Sequence, residues 1–125
     1  MLILTIRTDK PEAEIGLFED DEKLDYLSWQ AHRELAVTIH QKIEEITKNE
    51  KIQAVAVFRG PGSFTGLRIG ISVANALADS LQIPVVATDG EDWLPQAVDR
   101  LKKGENDQLA LPEYGAPVKT TPPRK

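Results

Sequence analysis

Apolar residues recur with a period of two over three stretches near the start of the chain. Met1 to Thr8 (MLILTIRT) is apolar and β-compatible until Lys10-Pro11 breaks it. Ala13, Ile15 and Leu17 then alternate with Glu14, Gly16 and Phe18. After the acidic run Glu19-Asp20-Asp21-Glu22, Leu24, Tyr26 and Ser28 alternate with Asp25, Leu27 and Trp29. This pattern predicts a three-stranded meander. From about Ala31 the period lengthens: Leu35, Ile39, Ile43 and Ile46 fall three or four apart, with Glu34, Lys42, Glu44, Glu45 and Lys48 turned elsewhere. That spacing predicts an amphipathic helix of roughly 18 residues, ~27 Å long. Val37 projects away from its apolar stripe, and Ala36 and His40 lie on the flank.

Ile52 to Phe58 (IQAVAVF) is almost wholly apolar, as expected of a strand covered on both faces. A glycine-rich loop follows. The remaining pattern predicts a helix from about Thr65 to Leu81, a buried strand over Ile83–Thr88 and a helix over Glu91–Lys103. Helix-separated strands join in parallel by right-handed crossovers. The predicted fold is therefore α/β, a mixed five-stranded sheet in the order βββαβαβα. That order resembles the ribonuclease-H-like half-domain of the actin-like ATPase superfamily. Residues 1–104 are assigned to this domain. Residues 105–125, with Pro112, Pro117, Pro122 and Pro123, are expected to form an extended tail that packs through Leu111 and Tyr114.

Composition narrows the setting. A chain of 125 residues with 41% hydrophobic content suits one small core. Fifteen basic residues against twenty acidic ones give a net charge of −5, which is not the footprint of a broad grip on nucleic acid. An RNA ligand would need a partner's basic surface. There is no cysteine, no apolar run near the ~20 residues of a membrane span and no secretory leader, so a cytoplasmic protein is expected. The acidic run 19–22 reads as a solvated turn rather than a metal site. His32 and His40 are too far apart for a one-turn metal pair.

The loop RGPGSFTGLRIG, residues 59–70, packs four glycines between strand and helix. It is not a Walker loop, because Gly66 is followed by Leu67-Arg68, and it is not a dinucleotide fingerprint, because Thr65 stands where a third glycine belongs. Pro61 likewise spoils a Gly-x-Ser-x-Gly elbow. What remains is structural: Gly60, Pro61 and Gly62 shape the turn, Ser63 or Thr65 caps the helix, and the loop Gly60–Gly66, Phe64 included, is a structural motif open to an anion contact. Gly66, Gly70, Ala74 and Ala78 form a smooth stripe that lets a helix or sheet come close. Leu67, Ile71, Leu77 and Leu81 make an apolar face, while Ile69, Val73 and Ala76 populate the remaining circumference. A helix apolar on nearly every side needs more than one cover, and a second protein is a natural one.

Arg59 to Gly70 is also similar to the hallmark of the bacterial TsaB family, accessory subunits of the machinery that makes threonylcarbamoyladenosine beside the tRNA anticodon. The resemblance covers about the first hundred residues. It implies an actin-like fold that is not itself the catalyst. It implies docking to the catalytic paralogue TsaD, with Val37, His40, Arg68, Ile69, Ser72, Val73 and Ala76 as partner-binding residues, and an ATPase, TsaE, joining them. It further implies no cofactor bound by this chain alone, ATP and metal in the partner subunits, and tRNA engaged only through the complex.

Two departures qualify it. Arg7 stands where family members usually have Asp, and Asp9 sits two residues late, so nucleotide hydrolysis by this chain is not expected. The helix ending near Lys103 leads straight into LPEYGAPVKTTPPRK, as in a shortened form that skips the family's second domain. The rival readings are a small actin-like phosphotransferase that uses the loop as a phosphate cradle, and a self-associating homodimeric domain. A peptidase reading finds no nucleophile triad or zinc motif.

Overall fold

Five strands form one mixed sheet in the spatial order β3-β2-β1-β4-β5. The structure is a computed structural model that describes residues 1–62 and 64–112. The expectations for Ser63, for Tyr114 and for the tail beyond Pro112 fall outside the described residues, as do those that rest on the side chains of His32 and Phe64. β1 (Leu2–Arg7), β2 (Glu12–Glu19) and β3 (Glu22–Gln30) are the expected antiparallel meander. The acidic run turns between β2 and β3, with Asp20 at a left-handed φ of 53°. β4 (Ala54–Phe58) and β5 (Val85–Thr88) run parallel to β1. The helices are α1 (Leu35–Thr47), α2 (Phe64–Leu81) and α3 (Trp93–Lys102).

The two faces of the sheet bury different sets of residues, as strand alternation requires. Leu4, Ile6, Ala13, Ile15, Leu17, Val55 and Val57 face α1 and α2 and pack with Leu35, Ile39, Ile43, Ile46, Ile71 and Ala74. Ile3, Ala54, Ala56 and Val86 face the other way, against Ala97, Val98 and Leu101 of α3. Phe18, next to Leu17 on β2 and opposite Ile3 on β1, points to this second layer by the same alternation. A register shift in the β2–β3 pairing after Leu17 leaves Leu24 unpaired on β3. Phe58, Leu67 and Trp93 close the top of the molecule, with the Phe58 and Trp93 rings edge to face at 5.6 Å.

Two boundaries differ from expectation. α1 has 13 residues rather than about 18, because a 3-10 turn over His32–Glu34 precedes it and Lys48 ends it at a left-handed φ of 50°. The segment after α3 does not pack through Leu111, which is 60% exposed. Ala110, at 2%, is the buried residue. Its backbone is held by Asn75, which accepts from the Ala110 N–H at 2.8 Å and donates to its carbonyl at 3.1 Å.

Candidate docking surface and the glycine loop

α1 and α2 both start at the carboxyl ends of β1 and β4, and both descend the same face of the sheet. Their sheet-facing sides are occupied by the core just described. Between them runs a seam with two neighbouring depressions. The upper one, about 220 Å³, is lined by Lys10, Pro11, Ala31, Leu35, Thr65, Gly66 and Ile69. The lower one, about 280 Å³, is lined by Ala36, His40, Arg68, Ile69, Ser72 and Val73. Ile69 belongs to both.

Five of the seven partner-binding residues expected from the sequence therefore converge on one groove: His40, Arg68, Ile69, Ser72 and Val73. Val37 and Ala76 do not line it. Both are on the outer surface of the same helices, and Val37 is 67% exposed. Val73 is buried and packs into the core of its own chain. Ala36 is a wall residue absent from the expected set. Its signal was its place one turn before His40 on the same flank.

Apart from Gly66, which lines the upper depression, the small-residue stripe of α2 does not contribute to this groove. Gly70, Ala74 and Ala78 are buried against the sheet. A β-carbon at residue 70 would overlap the hydroxyl of Thr8, at the end of β1. That hydroxyl donates to the Gly66 carbonyl at 2.7 Å. The glycines of the motif thus seat the first turns of α2 directly on the end of β1.

The loop itself is built for the same contact. Gly60 sits at φ 111°, a conformation that side-chain-bearing residues rarely adopt, and is followed by a cis bond to Pro61. Gly62 lies so close to Asp9 that a β-carbon would collide with it. The Asp9 carboxylate is tied to Arg7, with Nε to Oδ1 at 2.8 Å and Nη2 to Oδ2 at 3.2 Å. The Arg7 guanidinium lies 4.1 Å from the centre of the Phe58 ring. Asp9 hydrogen bonds hold the Arg7 pKa above its ordinary value. The carboxyl end of β1 therefore carries a closed arginine–carboxylate pair. No group of three His, Cys, Asp or Glu side chains among the described residues is arranged to hold a metal. No helix among them is long and apolar enough to cross a membrane.

Comparison with known proteins agrees with this architecture. Residues 27–103 match the family described as TsaD, tRNA N6-adenosine threonylcarbamoyltransferase. The chain belongs to that family, and within it is TsaB-like. It is 31% identical over 116 residues to the tRNA threonylcarbamoyladenosine biosynthesis protein TsaB of Haemophilus influenzae, covering 89% of this chain and 49% of the relative. The chain thus spans about half the length of the relatives it matches. YeaZ from Pseudomonas aeruginosa superposes with a TM-score of 0.66 at 27% identity, over 82% of this chain and 50% of that one. RuvC of Thermus thermophilus in complex with a Holliday junction superposes with a TM-score of 0.58 at 16% identity, over 94% and 83% of the two chains. At that identity the likeness is one of fold alone, and it is ribonuclease-H-like.

Proposed function

We propose that this chain is a non-catalytic accessory subunit in the synthesis of threonylcarbamoyladenosine on tRNA, docking through the α1–α2 seam to a TsaD-like catalytic paralogue. The observation that carries the reading is the seam. His40, Arg68, Ile69 and Ser72 converge on a groove on the outward side of two helices whose inner sides are already filled. Facing helices of a paralogous partner would complete a four-helix packing and bury on the order of 1,600 Å², the size typical of specific complexes. The names of the relatives support the pathway. The chemistry at the end of β1 supports the non-catalytic role, because Arg7 takes up the Asp9 carboxylate that a metal–phosphate site would need.

In this reading ATP and metal belong to the partner subunits, a TsaE-like ATPase joins the pair, and tRNA is held in the cytoplasm by the assembled complex rather than by this acidic chain. The test is reconstitution. The chain is mixed with a TsaD-like protein and a TsaE-like ATPase, the complex is sized, and threonylcarbamoyladenosine formation is measured with and without it. The expected result is a stable complex and modification that depends on the chain. Formation of a homodimer alone, with modification unchanged, would favour the self-association reading instead.

A further inference from the structure

β5 is the last strand of the sheet, and its outer edge ought to present an unpaired ladder. In a parallel strand alternate residues point their backbone groups to alternate sides. Pro84 and Thr88 serve β4, accepting from the N–H groups of Val55 at 3.0 Å and Arg59 at 2.8 Å. Val85 and Ala87 therefore face outward, and all four of their backbone groups are engaged. The Val85 N–H donates to Asn106 Oδ1 at 3.1 Å, and the Val85 carbonyl accepts from the Asp107 N–H at 2.8 Å. The Ala87 N–H donates to Asp107 Oδ2 at 2.8 Å, and the Ala87 carbonyl accepts from Arg100 Nη1 at 3.1 Å. Two side chains and one backbone amide of the segment after α3, with one arginine from α3, do the work of a sixth strand.

The segment is fixed at both ends of this contact. Arg100 Nη2 pairs with Asp107 Oδ1, and Arg100 Nε reaches Glu105 at 2.6 Å. Further on, Ala110 is clamped by both amide groups of Asn75 on α2, and the Leu111 carbonyl accepts from Arg59 Nε at 3.3 Å. The segment thus crosses from the α3 side of the sheet to the α2 side around its open edge.

We propose that residues 105–111 are a strap, locked by the Arg100–Asp107 ion pair, that seals the outer edge of β5 and opens as one unit when that pair is broken, exposing the edge to strand addition. The lock is ionic, and the seal itself depends on it, because the same two residues supply three of the four edge contacts. The charged groups that face the Asp107 carboxylate are Arg100 from α3 and Arg59 from the end of β4. Glu105 shares Arg100, and Asp89 shares Arg59 at 3.5 Å. Burial pushes the Asp107 pKa up, but hydrogen bonds from Arg100 and from the Ala87 amide outweigh it and hold the carboxyl below its ordinary value. The sign follows. A depressed carboxyl pKa favours the closed strap above its ordinary value near 4, and that advantage is lost as pH falls through the bound value.

Amide hydrogen exchange on the whole chain tests this. Val85, Ala87 and Ala110 each donate to a group of the strap or its clamp, while Ala56 and Val57 in β4 report the core. With one proton taken up on opening, protection at the three strap amides is expected to fall about tenfold per pH unit below pH 4. They should share one midpoint while β4 keeps its protection. In Asp107→Asn the three amides should lose at least tenfold in protection at neutral pH, and the step should vanish. The proposal is overturned if strap and β4 amides lose protection together, if Ala110 stays protected where Ala87 opens, or if the parent shows no step before global acid unfolding. The parent's pH series decides the matter even if the variant does not fold.

Discussion

Gly70 lies where the Thr8 side chain ends: a β-carbon on residue 70 would overlap the Thr8 hydroxyl, which itself donates to the Gly66 carbonyl at 2.7 Å. Thr8 is 1% exposed and has no room to swing aside. Helix propensity favours alanine over glycine by about 1 kcal/mol, and overpacking a filled core costs about 1–3 kcal/mol. Gly70→Ala is therefore expected to lower stability in denaturant unfolding, and Thr8→Ala in the same chain should recover part of the loss. A Gly70→Ala protein as stable as the parent would refute the contact.

Tyr26 offers a second check, on the open half of the sheet. Its phenol donates to the Glu14 carboxylate, and burial followed by that hydrogen bond pushes its pKa above the ordinary tyrosine value. The neutral phenol is the form the fold favours. The corresponding stability is complete below about pH 10 and is lost as pH rises through the folded value. Phenolate absorbance from Tyr26 should appear only above that pH, and Glu14→Gln should move it back toward the ordinary range. Tyr26→Phe should remove this component altogether and identify it.

The Arg7–Asp9 pair bears on nucleotide. Its guanidinium is held between the Asp9 carboxylate and the Phe58 ring, and the Asp9 side chain is only 8% exposed. Arg7→Ala would leave that carboxylate without its partner, at a cost of about 1–3 kcal/mol. Calorimetry with Mg-ATP is expected to show no micromolar binding by the parent and none gained by the variant. Heat of binding that disappears in Asp9→Asn would contradict the non-catalytic reading.

Much of this architecture is legible in the linear pattern, and the exceptions share a physical cause. Ala13, Ile15 and Leu17 declare their strand because period two is a local property, and Leu35, Ile39, Ile43 and Ile46 declare their helix in the same way. Helical spacing also put Gly70, Ala74 and Ala78 on one stripe, but an all-apolar helix carries no mark of which side meets the sheet. That choice rests on Thr8, a contact across more than sixty residues of sequence that periodicity cannot report. Asn106 and Asp107 read as ordinary loop residues for a similar reason. Their role depends on the unpaired groups of Val85 and Ala87, which no pattern in residues 105–111 encodes. The groove residues His40, Arg68 and Ser72 follow from the family resemblance, not from periodicity, which shows only that the helices need a second cover.

Docking through the seam predicts a separation between affinity and stability within α2. Ile69 and Ser72 line the groove and Ala76 lies on the same outer surface, whereas Val73, which also touches the groove, and Gly70 are buried in the chain's own core. A carboxylate placed at Ala76 or Ser72 stays hydrated in the free protein and becomes an unpaired buried charge only when a partner covers it. Ala76→Glu and Ser72→Glu are therefore expected to keep the parent's melting temperature and to weaken binding to a TsaD-like partner by about 100-fold, or ~2.7 kcal/mol. Val73→Glu places the charge in the core and should lower the melting temperature whether or not a partner is present. Gly70→Ala should do the same by overlap with Thr8. Thermal melts of the free chain, with calorimetric titration of the folded variants against the partner, separate the two classes. Full-strength binding by folded Ala76→Glu and Ser72→Glu would place the docking surface elsewhere on the molecule.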